Sequence, residues 1–195
     1  MKMRKSSLIT AAALTALIAL SGCRTTQEVF AVGEAAEKNP GPCPRAFALY
    51  DAERIVEFRG AESFSNVGFT GEIGNIRSLC RYYGDRPIVA DLEMEFELGR
   101  GPAATQSTAT YEYFVAVTRK NIDVIEKQVF PLTVTFPQGK DRVSVTERIP
   151  EIIIPRANPD TSGVNFEIIV GFIVTPEQRE FNAAGKRFRV SAGKN

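Results

Sequence analysis

Hydrophobic and polar residues alternate over long stretches of this chain. The clearest run places apolar side chains at every second position from Ile88 to Leu98, and the intervening acidic positions are Asp91, Glu93, Glu95 and Glu97. Such alternation is typical of a β-strand with one buried face and one solvated face. The same period recurs in residues 111–117, 132–136 and 164–174, and shorter apolar stretches occur in residues 46–58, 67–76, 122–129 and 143–154. The pattern predicts seven or eight strands.

Turn-forming sequences separate these strands, and no helical segment is long enough to connect parallel neighbours. We therefore predict an all-β domain in which two antiparallel sheets pack as an immunoglobulin-like sandwich, with a β-barrel as the alternative. Here "immunoglobulin-like" describes the architecture only. The chain has no tryptophan, and Cys43 lies too near the domain start to be one of the two cysteines that form the inter-sheet disulfide of immunoglobulin domains. A short helix is predicted after Thr175, since Pro176 suits its first position and Gln178 completes a capping box.

The N-terminus has the organisation of an export signal. Lys2, Arg4 and Lys5 precede an apolar segment over residues 8–20, which is followed by Leu20-Ser21-Gly22-Cys23. This tetrapeptide resembles the lipobox of bacterial lipoproteins. The resemblance implies cleavage after residue 22 and attachment of a diacylglycerol and an N-acyl chain to Cys23, which would anchor the chain to a lipid bilayer. The alternative is an ordinary secretory signal with a cysteine near its cleavage site.

The remaining chain divides into three parts. Residues 23–42 have few bulky apolar groups and end in Pro-Gly-Pro, which predicts a flexible tether with an r.m.s. span of about 25 Å. Residues 43–183 form the predicted β-sandwich domain, and residues 184–195 form a C-terminal tail. Cys43 and Cys80 are expected to form a disulfide in an oxidising compartment, with two free thiols or a mixed disulfide as the alternatives.

Charge and composition exclude several functions. Three of the 24 Lys and Arg residues lie in the signal, so the mature chain has 21 against 23 Asp and Glu, a net charge of −2. A nearly neutral chain without a basic stripe is not expected to bind nucleic acid. The chain contains no histidine, which removes Ser-His-Asp and Cys-His catalysis and histidine-based zinc sites. We therefore expect a protein that is not an enzyme and that has no metal or non-covalent cofactor.

The acidic residues between Ile88 and Leu98 are the remaining source of acid–base chemistry. Side chains two apart on a strand are about 6.6 Å apart and point outward in parallel, which forms a row and not a converging site. We interpret this row as a solvated outer face.

A partner surface is predicted at Glu112 and Phe114, beside the loop of residues 99–110. Glycine, proline and small polar residues indicate a mobile, exposed loop, and alternation places Tyr111 and Tyr113 inward with Phe114 facing the other way. The alternative is a long hairpin connection with Phe114 buried in a second layer.

Residues 43–60, 74–85, 101–117 and 166–182 together resemble a group of small envelope lipoproteins of alphaproteobacteria. The resemblance implies a folded domain anchored to the outer membrane and facing the periplasm, but it implies no activity or ligand. The expected function is a non-catalytic binding or scaffolding module with an envelope protein as its partner. The alternative is a carrier that holds an apolar envelope molecule between its sheets.

We predict that Cys23→Ser abolishes membrane retention, because three acyl chains bind a bilayer far more strongly than one. Fractionation of cells should then recover an unprocessed precursor or a soluble species. Unchanged processing and unchanged membrane recovery of the variant would contradict lipidation.

Overall fold

The computed structural model describes residues 41–188, in which eight strands form two four-stranded sheets. The strands are β1 (Arg45–Ala48), β2 (Arg54–Phe58), β3 (Val67–Arg81), β4 (Ile88–Arg100), β5 (Thr108–Arg119), β6 (Asp123–Thr135), β7 (Arg142–Ile154) and β8 (Phe166–Phe172), followed by helix α1 (Pro176–Ala183). The first sheet has the order β1-β8-β5-β6 and the second has the order β2-β3-β4-β7. No strand pairs across the two sheets, so the predicted sandwich is confirmed and the barrel alternative is wrong.

Several strand boundaries differ from the prediction. Residues 46–58 contain two strands, because a 3-10 turn at Tyr50–Ala52 carries the chain from β1 in the first sheet to β2 in the second. The apolar stretches predicted at residues 122–129 and 132–136 merge into one continuous strand, β6, which excludes only the first and last of these residues. The last strand begins at Phe166, so Val164 lies in a 3-10 turn and is 53 % exposed.

One strand pair is parallel, contrary to the prediction. In β1, Ala46 lies opposite Ile168 and Ala48 lies opposite Val170 of β8. The expectation of antiparallel pairing assumed that a parallel pair needs a nearby helical crossover. Here the connection between the two strands is almost the whole domain, so no crossover helix is required.

The core lies between the inner faces of the two sheets. The predicted inward residues of β4 are all buried, and the Phe96 ring centroid is 4.9 Å from that of Tyr113 and 5.7 Å from that of Phe172. Full burial of one such side chain contributes about 1.5–3 kcal/mol. The alternating residues therefore define the core as predicted.

Helix α1 begins as the sequence predicts. The Thr175 hydroxyl accepts from the Gln178 backbone N–H at 3.2 Å, and the Gln178 side-chain oxygen accepts from the Thr175 N–H at 2.9 Å. Pro176 occupies the first turn. Within residues 41–188, no helix is both long and apolar enough to cross a membrane.

Helix α1 covers the edge strand β2. The Gln178 side-chain amide donates to the Val56 carbonyl at 3.0 Å, and the Asn182 amide donates to the Arg54 carbonyl at 2.8 Å. Phe181 packs against Val56 in a small apolar cluster separate from the main core. The helix thus occupies backbone acceptors that an uncovered edge would offer to another strand.

A disulfide and a buried tyrosine connect the two sheets at the start of the domain. Cys43, just before β1, is bonded to Cys80 in β3, with their Cα atoms 5.6 Å apart. The Tyr82 hydroxyl donates to the Pro42 carbonyl at 2.9 Å and accepts from the Gly163 N–H at 3.0 Å. The predicted disulfide is confirmed, and it joins the segment just before β1 to β3, so Cys43 is not an inter-sheet cysteine of the immunoglobulin type.

We predict that reduction of this disulfide lowers the free energy of unfolding by up to about 4 kcal/mol, because the unfolded chain gains freedom over a 37-residue separation. Denaturant titration with and without reductant measures the change, and the circular-dichroism signal of the strands should persist. Alkylation of the unreduced, denatured protein should label neither Cys43 nor Cys80. Quantitative labelling of both would contradict the bond.

Candidate functional site

The two residues of the predicted partner surface lie on the outer face of β5, but they differ in exposure. Glu112 is exposed, whereas Phe114 is only 8 % exposed and clusters with Ala52. The Lys127 ammonium lies 4.3 Å from the centre of the Phe114 ring. Phe114 therefore faces the opposite way from Tyr111 and Tyr113, as predicted, but it is covered, which corresponds to the alternative of a second buried layer.

The loop beside this surface is held by backbone hydrogen bonds. The Gly101 N–H donates to the Gly68 carbonyl at 2.6 Å, and the Ala103 N–H donates to the Val67 carbonyl at 2.9 Å. A Cβ on Gly101 would lie 2.2 Å from the Val67 oxygen, so only glycine fits this close approach. These contacts hold the loop against β3 and remove the basis for predicting a mobile recognition loop.

The acidic row of β4 faces outward and contacts the neighbouring strands. Glu93 accepts from the Arg148 side chain at 2.8 Å. Hydrogen bonds from Ser144 and Asn75 lower the pKa of Glu95. A lowered pKa favours the carboxylate, whereas a general acid needs its proton near neutral pH. The row therefore acts as a set of cross-strand contacts between β3, β4 and β7.

One concave site lies where the sheets separate between the edge strands β6 and β7. We call it the edge cleft; its volume is about 270 Å³. Its apolar lining comes from Val115, Val117, Phe130, Ile149, Pro150, Ile152 and Ile153, and its polar lining comes from Glu126, Gln128 and Glu151. Phe130, Ile149 and Ile152 are only half-buried. The inner face of the sandwich is thus partly open to solvent here.

Polar side chains take inward positions on both strands that border the edge cleft. On β6, Glu126 and Gln128 lie opposite Val117 and Val115, which are buried inner residues of β5. On β7, Glu147 lies opposite the buried Met94, and its carboxylate accepts from the Tyr113 hydroxyl at 3.4 Å. Burial, with the nearby Glu147 charge, raises the pKa of Tyr113 to about 12. Tyr113 therefore stays protonated and donates to Glu147 at neutral pH.

The same two edge strands have features that oppose pairing with an added strand. Pro131 in β6 and Pro150 in β7 lack the N–H that a ladder requires. At the β7 bulge, Glu151 adopts a left-handed φ of 57°, and its N–H donates to Asp91 at 3.1 Å. Inward charges, prolines and bulges are common protections of β-edges. A partner in the edge cleft would therefore insert side chains and would not extend a sheet.

The second concave site lies on the outer face of the second sheet, beside α1. We call it the Arg54 groove; its volume is about 320 Å³. Strands β2, β3 and β4 supply its floor, and Asn182 with residues 186–188 forms one wall. Four cationic side chains, Arg54, Arg142, Lys186 and Arg187, and two acidic ones, Glu72 and Glu97, line it.

Arg54 is the unusual member of this groove, because it is only 5 % exposed. Its Nη1 contacts the Glu53 carboxylate, but no group within residues 41–188 accepts from its Nε or Nη2, and both atoms are buried. An unsatisfied buried donor costs about 1–3 kcal/mol, and more when it is charged. A buried polar group without a partner is uncommon in folded proteins.

Comparison with protein-family models, with curated proteins and with solved structures finds no match to this chain. The resemblance to alphaproteobacterial envelope lipoproteins therefore stays a prediction, and Cys23 lies outside the described residues. Within residues 41–188, no three Cys, Asp or Glu side chains cluster closely enough to hold a metal ion.

Sequence reasoning missed both concave sites. The edge cleft has a signal in the sequence: extending the alternation of Leu132 and Val134 backwards through Phe130 puts Gln128 and Glu126 at inward positions. Treating β6 as two segments hid this pattern. The Arg54 groove has no comparable signal, because nothing near Arg54 in the sequence indicates that this arginine is buried.

We predict that Phe114→Ser lowers the free energy of unfolding by about 3 kcal/mol, since it empties a packed site. Glu112→Lys, on the same face of β5, should change it by about 0.5 kcal/mol or less, because Glu112 is exposed. Denaturant titration of both variants measures the difference. A fully stable Phe114→Ser variant would contradict the buried position.

Proposed function

We propose that this chain is a lipid-anchored, non-catalytic binding module of the bacterial envelope. In this proposal Cys23 anchors it to the outer membrane, the domain faces the periplasm, and the edge cleft binds a segment of an envelope protein. The lipobox-like tetrapeptide supports the anchor. The absence of histidine from the sequence supports a function in binding.

The observation that carries the binding proposal is the incompletely buried apolar lining of the edge cleft, which includes Phe130, Ile149 and Ile152, together with exposed apolar side chains along the same two edge strands. Of the eleven large apolar side chains that are exposed among the described residues, five lie on β6 and β7 or at the turn that leads into β6: Ile122, Val124, Ile125, Val129 and Ile153. Of these five, Ile153 lines the cleft, whereas Val129 lies opposite Phe114 on the outer face of the first sheet. An accessible apolar surface with a polar border is typical of a protein-interaction site.

Charge defines the chemistry of the partner. Glu126 and Glu151 line the edge cleft, and Glu147 occupies an inward position of β7 close to it. These carboxylates favour a segment that carries Lys or Arg beside its apolar side chains, because complementary charges orient and select partners. The prolines and the bulge exclude strand addition as the main contact.

A carrier of an apolar envelope molecule is the less favoured function. Aromatic side chains fill the space between the sheets, including Phe96, Tyr113 and Phe172. The edge cleft of about 270 Å³ is smaller than the ~300–1,000 Å³ typical of ligand pockets. Its size suits a few inserted side chains better than a whole lipid-like molecule.

Site-specific photocrosslinking in intact cells tests the proposal. A photoreactive amino acid at Gln128 or at Ile153, one on each wall of the edge cleft, should give the same protein adduct. The matched control is Leu79, which is 76 % exposed but lies on β3, away from β6. The adduct should be absent when the probe is at Leu79.

Charge reversal then tests the partner chemistry. We predict that Glu126→Lys reduces the adduct yield from Ile153 by roughly tenfold, whereas Glu112→Lys leaves it unchanged, because only Glu126 faces the cleft. Unfolding midpoints of both variants serve as the folding control. Failure to obtain a common adduct from the two walls, or an equal yield from Leu79, would refute binding at this site.

A further inference from the structure

Two neighbouring turns at one end of the first sheet carry exposed apolar side chains. One is the turn between β5 and β6, and the other is the 3-10 turn before β8. The Lys120 N–H of the first turn donates to the Asn165 carbonyl of the second at 2.8 Å. We call the apolar residues on these turns and at the start of β6 the apolar tip. Its members are Ile122, Val124, Ile125 and Val164, which are between 41 % and 69 % exposed.

The apolar tip lies at the end of the domain where the chain enters it. The Pro42 carbonyl accepts from the Tyr82 hydroxyl at 2.9 Å, and the same hydroxyl accepts from the Gly163 N–H at 3.0 Å. A Cβ on Gly163 would lie 2.4 Å from the Pro42 oxygen, so the two backbones are in close contact. The residue that follows the predicted tether closely therefore packs beside the residue that precedes Val164.

The surroundings of the apolar tip suit a lipid surface. Its four residues line neither the edge cleft nor the Arg54 groove, so the tip offers no cavity for a ligand. Arg119 and Lys120 are exposed directly before Ile122, and Asp123 is the one acidic residue between them and Ile125. Exposed apolar side chains beside cationic ones are typical of segments that bind in the interfacial region of a bilayer, where the cations reach the headgroups.

We propose that the apolar tip inserts into the interfacial region of a lipid bilayer and orients the anchored domain on it. This inference rests on the proposed lipid anchor, because four side chains of this size bind a bilayer only weakly by themselves. A tether with an r.m.s. span of about 25 Å keeps the tip close to the bilayer and raises its effective concentration there. The bilayer then covers apolar side chains that are otherwise exposed to water.

Single-tryptophan variants on vesicles test the insertion directly. The chain has no tryptophan, so Ile122→Trp places one such fluorophore at the tip. The mature chain is produced without lipid and coupled through the Cys23 thiol to a maleimide phospholipid in phosphatidylcholine vesicles, since Cys43 and Cys80 are bonded to each other. Bromine atoms on the acyl chains should quench the emission of Ile122→Trp by roughly half, because the indole inserts among these chains.

The matched control is Phe64→Trp. Phe64 is 48 % exposed and precedes β3, whereas Tyr82, which contacts Pro42, follows β3. Strand β3 has 15 residues, so roughly 45 Å separate its two ends. The emission of Phe64→Trp should therefore fall by less than about a tenth. An unquenched Ile122→Trp, or equal quenching of the two variants, overturns the proposal.

A second comparison controls for the affinity of tryptophan itself for interfaces. Val164→Trp reports on the tip while Ile122 is either kept or changed to Asp. Ile122→Asp should reduce the quenching of Val164→Trp by roughly fivefold, because a charge replaces an inserted apolar side chain, whereas Phe64→Asp should leave it unchanged. Unfolding midpoints serve as the folding control, since Ile122 is exposed. Unchanged quenching after Ile122→Asp also overturns the proposal.

Failure of the anchor and failure of the insertion give different results. Unchanged processing and membrane recovery of Cys23→Ser in cells refute the anchor. The coupled vesicles supply an anchor of their own, so absence of quenching there refutes the insertion alone.

Discussion

Close packing of aromatic side chains between the two sheets is the interaction on which this domain depends. Phe96 contacts Tyr113 and Phe172 from the opposite sheet, and Tyr113 stacks on Phe130 with 5.3 Å between ring centres. These contacts join strands that share no backbone hydrogen bonds. Burial holds the sheets together, with a few hydrogen bonds between them such as those from Tyr111 to Thr70 and from Tyr113 to Glu147. The disulfide, the helix and the edge cleft lie at the margins of this core.

The four edge strands differ in what covers them, and the two uncovered strands border the proposed binding surface. Helix α1 covers β2 through the amides of Gln178 and Asn182. Strand β1 is only four residues long, and the disulfide of Cys43 holds the chain just before it. Strands β6 and β7 are long and remain uncovered by other described elements, with proline and inward charge opposing strand addition. Protection against aggregation at these edges still leaves apolar side chains accessible to a specific partner.

The two concave sites rest on different physical terms. The edge cleft combines an apolar lining with a few carboxylates, which suits the proposed protein segment. Binding of such a segment would complete the burial of half-buried inner residues such as Ile149 and Ile152. In the Arg54 groove, the guanidinium of Arg54 is desolvated, and its Nε and Nη2 lack acceptors among residues 41–188. A buried charged donor without an acceptor costs free energy.

The sequence by itself determined the sandwich, the inward rows of β4 and β5, the capping box of α1 and the cysteine pair. Each depends on residues close together in the chain or, for Cys43 and Cys80, on cysteine count and compartment. Tertiary structure alone decided the parallel pairing of β1 with β8, the burial of Phe114 beside Ala52, the opening between β6 and β7 and the burial of Arg54 beneath α1. Alternation assigns a side chain to one face of a strand. Whether another element covers that face depends on contacts between residues distant in the sequence, which no local pattern encodes.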